Sequence, residues 1–464
     1  MTKHKRIILW TTLMILFFVL TPSIILYSQG YRIDWQVKRI VQTGALYLKI
    51  IPAKANILID GKTSKTTDFF FGSTLLGNLF PGSHKIQISK EGYQPWAKQL
   101  DVQEKQVTDA KNIILFPKNP EFSIAADRIQ QVWKTPKDNN TLLLQKNTQD
   151  GWKLVLFNTT TLREETIFAS QKKDTPWDIQ WSPDAAWLIL QVAARENIQS
   201  FVLSLEKGQP CNTTPCSLDF LGQPLDAVAF FDAADHKIVF SKYARNSIIL
   251  GEADFVQKEI LAPFANNVLA FAMQGSTLLW LENSGTLWQK NASQNPPRAI
   301  ASLSSPAQEE TEYSIRSFGD VLFLQEGTRL LKVNMQEKNM QEMFSEARII
   351  AGSPDAKKLA VSSGSELWVV YLHNTQDQPM HAAGDKVFLT RMSKTIDNLF
   401  WVSSHYLAFS AGEDIRALEI DERDAVNTAY IAQYPSPNLF WQEASKALAV
   451  LSQGNLYVSE ILVK

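Results

Sequence analysis

The sequence has few of the residues and motifs on which enzymes depend. Among its 464 residues there are two cysteines and six histidines. It contains no Gly-x-Ser-x-Gly nucleophile elbow, no phosphate-binding loop, no dinucleotide fingerprint and no Asp-x-Asp-x-Asp-Gly calcium loop. His373 and His381 lie near Asp377 and Asp385, where we expect a solvated loop rather than a metal site. We therefore expect no catalytic residues, no cofactor and no metal, although the sequence does not exclude an enzyme.

The sequence also lacks a net charge. Its 46 lysines and arginines nearly cancel its 47 aspartates and glutamates. A nucleic-acid-binding protein needs a basic face for phosphates, so nucleic acid is not an expected partner. The two cysteines, Cys211 and Cys216, are too few for a tetrahedral zinc site. Their spacing fits either a short-loop disulfide, which an exported location would allow, or two free thiols.

One long stretch lacks charge altogether. Ile7 to Leu26 contains no charged residue, and about 20 helical residues cover the roughly 30 Å hydrocarbon core of a bilayer. We predict a transmembrane helix over residues 7–28, after a cytoplasmic stub of residues 1–6. Basic residues precede the run and aromatic residues follow it: Lys3, Lys5 and Arg6, then Tyr27, Tyr31 and Trp35. Basic residues favour the cytoplasmic side, so the expected topology has the N-terminus inside and the later domains outside.

A cleaved signal peptide is the alternative interpretation of this run. Such a peptide has an apolar region of about 7–15 residues that ends in a small-x-small site. The run here is longer, and no Ala-x-Ala sequence follows it. We therefore expect a permanent anchor, with the lipid bilayer as a partner and the cell membrane as the location.

Short strand-like segments follow a predicted juxtamembrane linker of residues 29–43. Over residues 44–118, turn signals such as Asp60-Gly61 and Pro81-Gly82 separate apolar runs. The runs are Ala45–Ile51, Asn56–Asp60, His84–Ser89 and Val107–Phe116. Five or six short strands in this length predict a small antiparallel β-sandwich.

Four segments of this region carry a family resemblance. They are Ile51–Ala55, Ile57–Gly61, Asn78–His84 and Lys90–Trp96. In this order they resemble a PEGA domain, which implies a carbohydrate-binding-like sandwich of cell-envelope proteins without catalytic residues. Tyr93 and Trp96 are candidates for stacking on a sugar ring, and packing within the protein is the alternative.

Residues 119–464 repeat one pattern. Each repeat has an apolar strand, a turn with Ser-Pro-Asp or a substitute, and two further apolar strands. Eight repeats of about 42 residues predict a β-propeller of eight blades, with seven as the alternative. The last repeat ends after its third strand, so we expect a strand near residues 121–125 to close the ring. The fold class is thus all-β after one transmembrane helix.

The repeat resembles the WD-repeat-like and TolB-like propellers of bacterial envelope proteins. This resemblance indicates the fold and leaves the function open. The favoured hypothesis is a membrane-anchored extracytoplasmic scaffold whose propeller binds a protein or cell-wall polymer. An envelope hydrolase with its site in the propeller funnel is one alternative. Glycan or cell-wall binding through the PEGA-like domain is another.

Overall fold

The apolar run forms a single helix in the computed structural model of the chain. This helix, α1 (Lys3–Ser28), has a mean hydropathy of 2.2, and its apolar side chains are exposed. The hydroxyls of Thr11, Thr12 and Ser23 donate to carbonyl oxygens four residues earlier, which satisfies them inside an apolar segment. The structure describes residues 3–35, 38–68, 71–136, 138, 140–171, 174–194, 197–222, 225–232, 236–244, 247–261, 263–291, 296–308 and 310–464.

A β-hairpin occupies the region where we expected a linker. Its strands are β1 (Tyr31–Asp34) and β2 (Arg39–Gln42), which pair antiparallel. Gly30 connects α1 to the hairpin with a φ of +88°, a backbone conformation that residues other than glycine rarely adopt. Strand pairing therefore orders this segment.

Two sheets form the small domain. One has the order β6–β3–β9, and the other has the order β5–β4–β7–β8. The strands are β3 (Gly44–Ile51), β4 (Asn56–Ile59), β5 (Lys62–Thr66), β6 (Ser73–Leu79), β7 (Gly82–Ser89), β8 (Trp96–Val102) and β9 (Val107–Ile114). Strand β9 runs parallel to β3, so the expectation of a purely antiparallel sandwich is wrong. After β8 the chain crosses from the second sheet to the first, where β9 lies beside β3 and runs in the same direction.

The remaining strands form four-stranded antiparallel units. Units one to four comprise β11 (Ile129–Lys134), β12 (Thr141–Asn147), β13 (Trp152–Asn158) and β14 (Arg163–Ser170); β15 (Thr175–Trp181), β16 (Trp187–Ala194), β17 (Asn197–Ser204) and β18 (Cys216–Ser217); β19 (Leu225–Asp232), β20 (Lys237–Ala244), β21 (Ser247–Asp254) and β22 (Glu259–Ile260); and β23 (Val268–Gln274), β24 (Thr277–Glu282), β25 (Thr286–Asn291) and β26 (Arg298–Ser302). A short 3-10 helix, Asp219–Leu221, follows β18.

Units five to seven comprise β27 (Tyr313–Phe318), β28 (Val321–Glu326), β29 (Arg329–Asn334) and β30 (Asn339–Phe344); β31 (Ile349–Gly352), β32 (Lys358–Ser362), β33 (Glu366–Tyr371) and β34 (Lys386–Arg391); and β35 (Ile396–Ser403), β36 (Tyr406–Ala411), β37 (Asp414–Glu419) and β38 (Thr428–Gln433). Neighbouring units contact one another through their first strands, as in a β-propeller, at β19 with β23, β23 with β27, β31 with β35 and β35 with β39. One parallel bridge between Ser302 of β26 and Asn339 of β30 joins the fourth and fifth units into one sheet. Apolar side chains fill the space between neighbouring units.

The expected ring-closing strand is confirmed. The last unit combines β39 (Asn438–Gln442), β40 (Ala447–Ser452) and β41 (Asn455–Ser459) with β10 (Phe122–Ala126) from the start of the propeller region. Phe122 pairs with Ser459 in an antiparallel register. This pairing satisfies the backbone groups of both edges and joins the two ends of the ring.

The Ser-Pro-Asp turns have the local bonding that the sequence suggests. The Ser182 hydroxyl donates to Asp184 at 2.5 Å, and it accepts from the backbone N–H of Trp187 at 2.9 Å. Ser353 and Asp355 repeat this arrangement in the sixth unit. These aspartates are therefore turn residues, as expected.

Candidate functional site

The small domain and the propeller meet at a buried ion pair. Strand β8 alternates between buried and exposed residues, which places Trp96 and Lys98 on one face with Leu100. The Lys98 side chain is 0% exposed, and its Nζ lies 2.6 Å from Oε1 of Glu419 at the end of β37. Because an unpaired buried ammonium is very costly, the position of Lys98 requires the propeller carboxylate.

Glu419 is the acceptor at the centre of this junction. Its Oε2 accepts the indole N–H of Trp96 at 2.8 Å. Its Oε1 also accepts from the backbone N–H and the side-chain amide of Asn427, at 3.0 and 2.7 Å. The nearby Tyr406 hydroxyl accepts the backbone N–H of Ile114 at 3.1 Å. Burial and then the charge of Glu419 hold the pKa of Tyr406 well above its usual value, so this phenol remains protonated.

A second charged pair extends the junction. Arg423 binds Asp421 through its guanidinium at 2.5–3.2 Å and donates to the backbone oxygen of Asp109 at 2.9 Å. The Lys98 ammonium also donates to the backbone oxygen of Asp421 at 2.5 Å. Burial alone would raise the pKa of Asp421, but the cations Arg423 and Lys98 hold it below its usual value. The carboxylate is therefore ionised and paired.

Further hydrogen bonds surround the charged pairs. The Gln94 side chain both donates to the backbone oxygen of Tyr430, at 2.6 Å, and accepts from its N–H, at 3.1 Å. Gln378 accepts the backbone N–H of Asp109 at 3.0 Å, and Asp424 accepts that of Gln99 at 2.9 Å. These bonds extend the contact between the two domains beyond the buried ion pair.

A cleft of about 380 Å³ opens beside this junction. Side chains of the small domain, such as Lys111, face propeller side chains across it, including Asp355, Tyr371, His405 and Arg423. Burial and the charge of Lys358 lower the pKa of His405, which favours its neutral form. Lys358 binds Asp355 at 2.6 Å, and Lys111 binds Asp109. Because these charges are already paired, we interpret the cleft as part of the contact between the two domains rather than as a ligand-binding site.

The histidines near the cleft differ from the expected solvated loop. His381 is mostly buried and stacks on Tyr371, with ring centroids 3.9 Å apart. Its Nε2 lies 3.1 Å from Glu422, whereas His373 lies at the surface beside Asp320. Within the described residues, no group of three His, Cys, Asp or Glu side chains is arranged to hold a metal.

A larger cavity of about 570 Å³, which we call the funnel, is lined by the first strands of units two to five of the propeller. Its lining combines apolar side chains with polar ones such as Gln180 and Ser314. Leu269, Phe271 and Met273 of β23 line it and are partly buried. Among the described lining residues Asp226 is the one carboxylate, and it accepts a hydrogen bond from Ser241 at 3.0 Å. The funnel thus offers apolar side chains beside polar ones, and its described lining residues include no pair of carboxylates for hydrolysis.

The predicted sugar-stacking residues occupy different environments. Trp96 is 3% exposed, and its N–H is bound to Glu419. The stacking role expected for Trp96 is therefore wrong in this structure, because the propeller covers the ring. Tyr93 is half-buried against the sandwich core with the Lys90 ammonium 5.8 Å from its ring centre, and a sugar contact there stays a prediction.

The other predicted residues lie far from the junction. Cys211, in the loop after β17, forms a disulfide with Cys216, the first residue of β18. Among the anchor flanks, Lys5 and Arg6 are exposed on α1, while Lys3 lies in its first turn. Tyr27, Tyr31 and Trp35 surround the end of α1, and Trp35 is 80% exposed.

Sequence analysis missed Lys98 and Glu419. Both lie in phase with buried side chains of their strands: Lys98 with Leu100 on β8, and Glu419 with Ile415 and Ala417 on β37. A charged residue at a core position of a strand was the available signal, because such a residue requires a buried partner.

Comparisons with known proteins return propellers at low similarity. The chain is similar to Kluyveromyces lactis Hsv2, with 14% identity over 67% of this chain and 100% of that one, and a TM-score of 0.42. It is similar to the β-propeller domain of Myceliophteria thermophila Cps50 (Swd1), with 10% identity over 72% and 99% of the two chains and a TM-score of 0.37. The computationally designed Ika8 protein gives 12% identity over 72% and 96%, with a TM-score of 0.46. No family model matches the sequence, and no curated protein matches it.

Proposed function

We propose that this chain is a membrane-anchored extracytoplasmic scaffold that binds a protein partner in the funnel of its propeller. In this proposal α1 spans the bilayer with the N-terminus in the cytoplasm. The length of the helix and its exposed apolar side chains support the anchor. A signal sequence would have the same properties, so the anchor requires a direct test.

Two features support an extracytoplasmic location of the two β domains. Lys5 and Arg6 precede the apolar part of α1, which favours a cytoplasmic N-terminus. Cys211 and Cys216 form a disulfide, and such bonds persist mainly in oxidising compartments. We therefore place the protein in a cell envelope. Protease added to intact cells should digest the β domains and leave the N-terminal stub protected.

Within this proposal, residues 44–118 form a PEGA-like domain and residues 119–464 form an eight-bladed, TolB-like propeller. The two-sheet sandwich supports the first assignment, and eight four-stranded units support the second. The PEGA-like domain holds the propeller at a fixed orientation to the membrane through the Lys98–Glu419 junction. The scaffold thereby presents its funnel at a defined position.

The observation that carries the binding function is the apolar wall that Leu269, Phe271 and Met273 of β23 contribute to the funnel. These side chains line the cavity and are only partly buried, although each also packs against a core cluster of the propeller. A partner that covers their remaining exposed surface would gain about 25 cal/mol per Å² of apolar area. A protein segment with apolar side chains is the partner that fits this wall.

Site-specific photo-crosslinking in membranes tests the proposal. A photoreactive residue at Phe271 should give a crosslinked protein product, and the same residue at exposed Tyr243 on β20 should not. Adding Met273→Asp should abolish the product from position 271, since a carboxylate in the apolar wall is costly to bury. Equal products from both positions, or none from position 271, would contradict the proposal.

A further inference from the structure

The hairpin after α1 has one apolar face. In its antiparallel register Ile33 is directly opposite Ile40, so both side chains point to the same side. They are 51% and 67% exposed, and Trp35 follows at the turn with still greater exposure. The other face carries the pairs Arg32 with Val41 and Asp34 with Arg39. The hairpin is therefore amphipathic, and no described residue covers its apolar side.

The hairpin is fixed to the end of the helix. Arg32 lies over the Tyr27 ring, 3.5 Å from its centre, and donates to the Tyr27 backbone oxygen at 2.7 Å. Gln42 donates to the backbone oxygen of Gln29 at 2.7 Å, and Thr43 donates to that of Gly30 at 2.9 Å. The apolar face of the hairpin thus begins where the apolar surface of α1 ends.

The hairpin is also fixed to the small domain. Arg32 donates to the side chain of Asn78 at 3.0 Å, at the end of β6. Gly44, two residues after β2, pairs with Leu79 of the same strand. An isolated two-stranded hairpin is marginally stable in water, so these bonds explain how it keeps its form with an exposed apolar face.

We infer that the hairpin lies in the phospholipid headgroup layer as a second membrane contact beside α1. Ile33, Trp35 and Ile40 face the acyl chains, while Lys38 and Arg39 meet the headgroup phosphates. Tryptophan suits this boundary, and the ammonium of lysine and the guanidinium of arginine donate charge-assisted hydrogen bonds to phosphate oxygens. A four-residue strand spans about 13 Å, which keeps the hairpin close to the end of the span. The inference rests on the proposed anchoring of α1.

Such a second contact has a structural consequence. One helix alone allows the extracytoplasmic domains to rotate about the bilayer normal and to tilt freely. A hairpin bound to the headgroups and bonded to Asn78 restricts the tilt of the small domain. The junction at Lys98 then transmits this orientation to the propeller.

Spin labelling of the full chain in vesicles tests the inference. Both native cysteines are in a disulfide, so an introduced cysteine is the one free thiol. Labels at Ile33→Cys and Ile40→Cys would be compared with Val41→Cys on the opposite face and with Tyr243→Cys on the propeller. The vesicles contain phosphatidylcholine and phosphatidylglycerol, and the relaxing agents are oxygen and a water-soluble nickel chelate. Alkaline carbonate extraction of the same variants reports the anchoring of α1.

We expect the oxygen-to-chelate accessibility ratio at positions 33 and 40 to exceed that at positions 41 and 243 severalfold. A ratio at 33 and 40 equal to that at 243, in protein that resists carbonate, would overturn the hairpin inference and leave the anchor intact. Labels at 33 and 40 shielded from both agents would also overturn it, because a protein partner or a second copy would then cover the face. Release of the chain by carbonate would overturn the anchor and the hairpin inference together.

Discussion

The two connections of the small domain differ in kind. Toward the propeller, it has a buried ion pair between Lys98 and Glu419 and a shell of hydrogen bonds that includes Trp96. Toward the helix, it has a two-stranded hairpin whose Ile33 and Ile40 side chains are exposed. The first connection has its polar partners within the protein. For the second, we propose that a bilayer covers the exposed face.

This difference separates two tasks within one chain. A junction with paired charges and satisfied donors fixes the propeller to the small domain, because each of its buried groups loses its partner on separation. A hairpin with an open apolar face can change its surroundings without breaking protein contacts. Stability should therefore depend on the junction, and membrane attachment should depend on the helix and the hairpin.

The largest expected effect comes from breaking the ion pair on one side. Lys98→Met leaves the Glu419 carboxylate buried without its cation, and removing one partner of a buried pair costs about 3–5 kcal/mol. Chemical denaturation of the full chain in detergent should show this loss in the free energy of unfolding. The exposed Lys118→Met serves as the matched control and should change it by less than about 0.5 kcal/mol.

The double variant Lys98→Met with Glu419→Gln extends this test. It removes both charges and keeps an acceptor for the Trp96 indole, so part of the lost stability should return. A double variant as unstable as the sum of the two single variants would show that the residues are not coupled.

A smaller loss is expected from the disulfide, which lies outside both connections. Replacing Cys211 and Cys216 by serine removes a six-residue loop constraint, worth about 2 kcal/mol in the chain-entropy treatment. The loss should appear in the free energy of unfolding, while the distance between the two domains should not change. A change in domain arrangement would contradict the assignment of this bond to local stability of the second unit.

The cleft at the junction should add a pH dependence. Burial and Lys358 lower the pKa of His405 in the folded protein, while the unfolded value is about 6.5. The unfolded state therefore binds the proton first, and the free energy of unfolding should fall as the pH drops below about 6.5. Urea titrations at several pH values should show a smaller fall in the free energy of unfolding for His405→Asn than for the unaltered protein.

The smallest effect on stability is expected at the hairpin. Trp35→Ser alters a side chain exposed to solvent, so the free energy of unfolding in detergent should change by less than about 0.5 kcal/mol. A loss as large as that of Lys98→Met would remove the difference between the two connections.

Local patterns in the sequence predicted the strands well. The apolar repeats predicted repeated units of strands over residues 119–464, and the missing fourth strand of the last repeat predicted closure by β10. The Ser-Pro-Asp turns behaved as expected because their hydrogen bonds join residues only two to five positions apart.

Contacts between distant residues were not predictable in this way. Trp96 and Glu419 are separated by 323 residues, and no periodicity in the sequence relates them. Trp96 was therefore interpreted as a candidate for sugar stacking although the propeller buries it. The parallel pairing of β3 with β9 and the hairpin at Tyr31 likewise depend on chain crossing and on short strands without strong alternation.

If the Lys98–Glu419 junction holds the small domain and the propeller as one rigid body, the distance between them should be fixed. A distance measurement tests this most directly. Spin labels at Glu104→Cys in the small domain and Tyr243→Cys in the propeller should give one narrow distance distribution by pulsed electron paramagnetic resonance. Lys98→Met should broaden that distribution. A broad distribution in the otherwise unaltered protein, or one that Lys98→Met leaves unchanged, would contradict the claim.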